Sequence, residues 1–109
     1  MEVYDYQRFQ EIVSQVDKKQ LYITICRNIK AFRLEKYNEF KNQQPHNHIN
    51  PFSTENISAL LEYNHNHYKR FESETDSTKM IPLDKLVKLA IILDKKVDDF
   101  LKEQTTLKY

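Results

Sequence analysis

The sequence predicts an all-α fold, and two observations support that prediction. Glycine is absent from the 109 residues, whereas tight β-hairpins need glycine, or Asn and Asp in its place. Apolar residues recur at steps of three and four along most of the chain, which is the spacing of one face of an α-helix. The length suits a single domain with one core.

An amphipathic helix is predicted in residues 1–20, from about Tyr4 to Lys18. Its apolar stripe consists of Tyr6, Phe9, Val13 and Val16. These residues follow one another at helical spacing, and the stripe is too short to establish a coiled coil. We expect it to pack either on the rest of the domain or on a second copy of the chain.

The domain proper is predicted over residues 21–103, followed by a tail at 104–109. Its first helix runs from about Leu21 to Phe40, and Cys26 lies beside the apolar face as a small core residue. That face consists of Tyr22, Ile25, Ile29 and Phe32. A helix that begins near Pro82 has an apolar stripe of Leu83, Leu86, Val87, Ala90 and Leu93. A last short helix covers Val97 to Leu101.

Between these helices the sequence predicts a pair of short helices with their own N-caps. Ser53 precedes the first, which ends near Leu61, and Asn64 precedes the second. Tyr68 and Phe71 supply the buried positions of the second helix. Two short capped helices joined by a tight turn describe a helix-turn-helix.

The segment from Ser53 to Glu72 resembles, without a gap, the helix-turn-helix of the Cro and lambda-repressor family, also called the xenobiotic-response-element family. Asn28 to Arg33 is similar to the end of that family's first helix, and Leu86 to Leu101 is similar to its fourth and fifth helices. The resemblance implies a five-helix, repressor-like helix-turn-helix domain, here with an extra N-terminal helix. One departure is Glu62, which occupies the turn position where the family has glycine, so a left-handed backbone there would be strained.

The resemblance also implies sequence-specific binding of double-stranded DNA by a transcriptional regulator, most often a repressor that acts as a homodimer. It places base contacts at His65, Asn66 and Arg70 and phosphate contacts at Thr54 and Asn64. It further implies a partly buried ion pair between Arg33, at the end of the first helix, and Glu72.

The residues themselves support a reading face on the second helix of the pair. At 100° per residue, Tyr68, Phe71 and Glu72 fall on one side. His65, Asn66, Lys69 and Arg70 project from the other side. Asn pairs with adenine and Arg with guanine in the major groove, so we assign base contacts to these four residues. The alternative is that Lys69 and Arg70 only form a solvated face. Lys41, beside the polar loop Asn42–Pro51, is predicted to reach the DNA backbone.

A competing prediction is a protein-interaction module on the same scaffold, such as an antitoxin, an anti-CRISPR protein or an antirepressor. The net charge of +1 favours it, because a generally basic footprint is missing. Catalysis is disfavoured, since the chain has no nucleophile elbow and no glycine-rich phosphate loop. The two triplets His46-Asn47-His48 and His65-Asn66-His67 lack further ligands, so no metal or other cofactor is expected.

The sequence also bears on the compartment. A lone cysteine fits a reducing cytoplasm. The longest apolar run, Leu89 to Leu93, is too short to span a bilayer, and the charged N-terminus does not resemble a signal peptide. We therefore expect a cytoplasmic protein with no membrane association.

Overall fold

A computed structural model describes residues 5–43, 49–75 and 80–103, and every regular element in these ranges is a helix. The helices are α1 (Tyr6–Val13), α2 (Lys18–Gln43), α3 (Thr54–Leu60), α4 (His65–Arg70), α5 (Leu83–Leu93) and a 3₁₀ helix (Val97–Leu101). The predicted all-α class is confirmed. None of the helices in the described ranges is long and apolar enough to cross a membrane. The predicted tail at 104–109 lies outside the described residues.

The N-terminal helix is shorter than the apolar spacing predicts. The carboxylate of Asp17 accepts hydrogen bonds from the backbone N–H groups of Lys19 and Gln20 and thereby starts α2. Val16 consequently lies in the connection between α1 and α2 rather than on a continuous helix. No residue of α1 is buried, so of the two expected packing partners of its stripe, the rest of the domain does not bury it.

With 26 residues, α2 is the longest helix in the described ranges. Ile25, Ile29 and Phe32 are buried on one face, and Cys26 is fully buried beside them as predicted. The Phe32 ring meets the Phe100 ring edge-on, with centroids 5.0 Å apart. This contact joins α2 to the 3₁₀ helix at the other end of the chain.

The predicted apolar stripe of α5 is wrong for two of its five residues. Leu86, Ala90 and Leu93 are buried as expected, but Leu83 is 70% exposed and Val87 is 41% exposed. Leu89 is buried in their place. Apolar residues surround much of this helix, so the sequence alone does not show which edge of the stripe the core covers.

Candidate functional site

The two predicted caps hold the first turns of α3 and α4. The Ser53 hydroxyl accepts a hydrogen bond from the backbone N–H of Asn56 at 3.2 Å. The Asn64 side-chain oxygen accepts from the backbone N–H groups of Asn66 at 2.9 Å and His67 at 3.3 Å. Each cap satisfies backbone donors that the first turn of a helix otherwise leaves unpaired. Both short helices are therefore fixed at their N-termini.

The turn between α3 and α4 contains a residue with left-handed backbone geometry. Glu62 has φ of 58°, a conformation that costs a non-glycine residue free energy. The left-handed backbone that we expected to be strained at Glu62 is therefore present. Asp94, the C-cap of α5, has φ of 57°, but Asp tolerates the left-handed region better than Glu does.

Just after the end of α4, Glu72 forms a buried ion pair with Arg33 of α2. Arg33 Nε lies 2.6 Å from Glu72 Oε2, and Arg33 Nη2 lies 3.1 Å from Oε1. The two side chains are 9% and 8% exposed. Arg33 Nη1 also donates to the Phe52 carbonyl at 3.0 Å. One guanidinium therefore ties α2 to the entry of α3 and to the end of α4.

Tyr68 completes this polar cluster. Its hydroxyl donates to Glu72 Oε2 at 2.6 Å, and its side chain is fully buried. Burial, together with the nearby Glu72 carboxylate, raises the pKa of Tyr68, so the phenol remains a protonated donor. Glu72 thus accepts three hydrogen bonds, which compensates for the removal of its charge from water.

The outward side of α4 carries the predicted base-contacting residues. Asn66, Lys69 and Arg70 are exposed, whereas His65 is half-buried. His65 Nε2 lies 2.9 Å from the Thr54 hydroxyl oxygen, and the two groups share a hydrogen bond. This bond joins the first residues of α3 and α4, and it brings together a predicted phosphate contact and a predicted base contact.

The other two predicted phosphate contacts lie at helix ends. Asn64 is exposed, and because its oxygen caps α4, its amide NH₂ is the group available to a phosphate. Lys41 is exposed in the last turn of α2. It follows Phe40, whose ring centroid is 6.5 Å from that of Phe52 near the start of α3. His46 and His48 lie outside the described residues.

Two asparagines with structural roles were not singled out from the sequence. Asn50 donates to the Tyr37 carbonyl at 3.0 Å and accepts from the Phe52 N–H at 2.9 Å, which fixes the chain before α3. The buried Asn28 amide donates to the carbonyls of Phe100 at 2.9 Å and Lys102 at 2.8 Å. The Asn-Pro sequence at Asn50 is a turn signal, but no local pattern announces the distant partners of Asn28.

The described part of the chain contains no group of three or more His, Cys, Asp or Glu side chains that could hold a metal ion. Comparison with family models, with curated proteins and with solved structures finds no match to this chain. The surface of α4 and the contacts beneath it are therefore the basis for a functional proposal.

Proposed function

We propose that the protein binds double-stranded DNA sequence-specifically, with α3 and α4 as a helix-turn-helix, and that it regulates transcription as a repressor. The observation that carries this proposal is the segregation of α4 and the two residues that follow it into two sides. Tyr68, Phe71 and Glu72 face the core and are held there. The outward residues include Asn66, Lys69 and Arg70, with no carboxylate among them. The major groove admits a single α-helix.

Each outward residue has a role in this proposal. Asn66 pairs with adenine and Arg70 with guanine, since both side chains make bidentate contacts with those bases. His65, oriented by its bond to Thr54, and Lys69 contact neighbouring base edges. Thr54, Asn64 and Lys41 contact phosphates, which fix the register of the helix on the duplex. No cofactor takes part.

Homodimerisation belongs to the same proposal. A reading helix of 6 residues reaches few base pairs, so a second copy on a half-site about 34 Å away increases affinity and specificity. The exposed α1 stripe, in which Tyr6 is 75% exposed, or the end at Val97–Leu101 supplies the surface. Sedimentation at micromolar concentration is expected to give twice the 13.2 kDa chain mass. A monomer at that concentration would refute this part of the proposal.

The second candidate is a protein-interaction module on the same scaffold. It is favoured by the net charge of +1 and by an exposed apolar row on α5. That row comprises Leu83, Val87 and Ile91, which lie at successive steps of four. Protein partners bury such apolar residues, whereas DNA binding depends on cations.

One experiment separates the two candidates. Selection from random duplex DNA is expected to enrich a short motif, and its affinity is expected to fall with salt at a log–log slope of about −0.9 per neutralised phosphate. The protein with scrambled DNA of equal length serves as the control. Failure to enrich any motif would reject the DNA-binding proposal in favour of the protein-interaction candidate.

A further inference from the structure

The helix α1 presents an apolar face that the described part of the chain leaves exposed. The face consists of Tyr6, Phe9, Ile12 and Val13. The helices that pack closely on one another in the described ranges are α2 with the 3₁₀ helix, α3 with α4, and α5 with both α2 and the 3₁₀ helix, so α1 belongs to none of these pairs. A helix of 8 residues is too short to persist alone, since isolated helices below about 12–15 residues are marginal in water. A surface from outside its own domain therefore has to cover α1.

A second apolar face is exposed on α5. Leu83, Val87 and Ile91 follow one another at steps of four, and we call them the α5 row. The row extends for about 12 Å along its helix, and the α1 face from Tyr6 to Val13 extends for about 10 Å. Contiguous exposed apolar residues are typical of interaction sites. The two faces thus match in length as well as in character.

We propose that α1 of one copy packs on the α5 row of a second copy, in a parallel orientation, and that the second copy returns the same contact. This inference rests on the homodimerisation proposed above and specifies its surfaces. A stable interface buries at least about 1,200 Å², and two-fold symmetry makes the contact twice, so each contact needs about 600 Å². Seven exposed apolar side chains, four on α1 and three on α5, supply this area at about 90 Å² each. A contact between two α1 helices would leave the α5 row exposed, whereas the reciprocal contact covers both faces.

The charges beside the two faces favour the parallel orientation. At about 100° per residue, Arg8 lies about 40° from Ile12, at one edge of the α1 face. Asp84 lies about 20° from Ile91, at the opposite edge of the α5 row when both helices are viewed from their N-termini. Parallel helices bring opposite edges together, as at the e and g positions of a parallel coiled coil, so Arg8 meets Asp84. An antiparallel orientation brings the uncharged Gln10 to Asp84 instead.

Cross-linking of two single variants tests which faces meet. In the parallel orientation Val13 lies opposite Ile91 of the second copy, so Val13→Cys and Ile91→Cys each place a thiol on one face. An equal mixture of the two variants, treated with a short bis-maleimide, is expected to give a denaturing-gel band at about twice 13.2 kDa. Either variant alone is expected to give no such band. The unaltered chain is the blank, because its sole cysteine, Cys26, is fully buried.

A band from Val13→Cys alone would show that α1 pairs with α1, and a band from Ile91→Cys alone would show that α5 pairs with α5. Either result, or a mixture without a band, would overturn the inference. None of these measurements contains DNA, so their outcome is independent of whether the protein binds DNA.

Sedimentation of a matched pair of variants gives the second test. Ile91→Glu places a charge in the α5 row and is expected to raise the dissociation constant of the dimer at least tenfold. Leu101→Glu makes the same kind of change at an exposed leucine of the 3₁₀ helix and is expected to leave the dimer unchanged. The reverse pattern would overturn the inference and assign the dimer surface to the 3₁₀ helix. An unaltered chain that is monomeric would overturn the inference together with homodimerisation, whereas selection from random DNA decides the DNA-binding proposal separately.

Discussion

The two sides of α4 differ in how their polar groups are satisfied. On the inward side, the Glu72 carboxylate accepts hydrogen bonds from Arg33 and Tyr68 and is almost excluded from water. On the outward side, Asn66 and Lys69 meet solvent. The α4 segment thus combines a side whose contacts are complete within the chain with a side on which Asn66 and Lys69 are exposed to solvent. A change on the inward side should therefore affect stability, and one on the outward side should affect binding.

The largest expected effect is on the inward side. Arg33→Met leaves Glu72 buried without its partner, so the free energy of unfolding should fall by roughly 3 kcal/mol in urea titrations. The double variant Arg33→Met with Glu72→Leu should cost less than the sum of the two single changes. Additive costs would show that the two groups do not stabilise one another.

The matched control for this pair is Arg27 with Glu74. Arg27 Nη2 lies 3.0 Å from Glu74 Oε1, and the two side chains are 50% and 47% exposed. Arg27 lowers the pKa of Glu74, but solvent screens the interaction. Arg27→Met should therefore leave the urea midpoint unchanged. A loss as large as that of Arg33→Met would mean that burial does not determine the strength of these ion pairs.

The second-largest effect is expected on the outward side of α4, where substitutions should weaken the proposed DNA binding. Asn66→Ala and Arg70→Ala should each weaken operator binding by about 1–3 kcal/mol and relax one base position. For Asn66→Ala, stability should change by less than about 0.5 kcal/mol, because Asn66 is exposed. Lys30→Ala, at an exposed cation of α2, controls for the loss of charge. Equal weakening on random DNA would make these side chains phosphate contacts and contradict the base-reading assignment.

The sequence was most informative where the determinants are local. Ser53 and Asn64 cap the helices that follow them, and each cap spans two or three residues. It was least informative where a partner is distant. Asn28 finds its carbonyl partners more than 70 positions away, and the buried edge of α5 is decided by what packs against it. The spacing of apolar residues in α1 predicted a helix, yet it did not show that this stripe lies exposed.

The third-largest effect concerns Asn64, which caps α4 and is also a proposed phosphate contact. Asn64→Ala removes the acceptor for two backbone N–H groups and should cost about 1 kcal/mol of stability. Asn64→Asp separates the two roles of this residue. It keeps the capping oxygen and should retain stability, but it replaces the amide donor with a negative charge and should weaken DNA binding. Thermal unfolding and operator titration of both variants measure this difference, and unimpaired DNA binding by Asn64→Asp would remove Asn64 from the phosphate contacts.

The smallest expected effect is on stability and concerns Glu62, in the turn between α3 and α4. A left-handed conformation costs a non-glycine residue about 1–2 kcal/mol, while glycine costs roughly 0.5–1 kcal/mol more chain entropy on folding. Glu62→Gly should therefore stabilise the protein by on the order of 0.5 kcal/mol, measured as a higher urea midpoint. Asp94→Gly is the control at the other left-handed residue, and it should gain less because Asp is better tolerated there. Neither change touches an outward side chain of α4, so operator affinity should stay the same. A destabilised Glu62→Gly variant would show that the Glu62 side chain contributes more than its backbone strain costs, and that the turn is not the weak point of the α3–α4 pair.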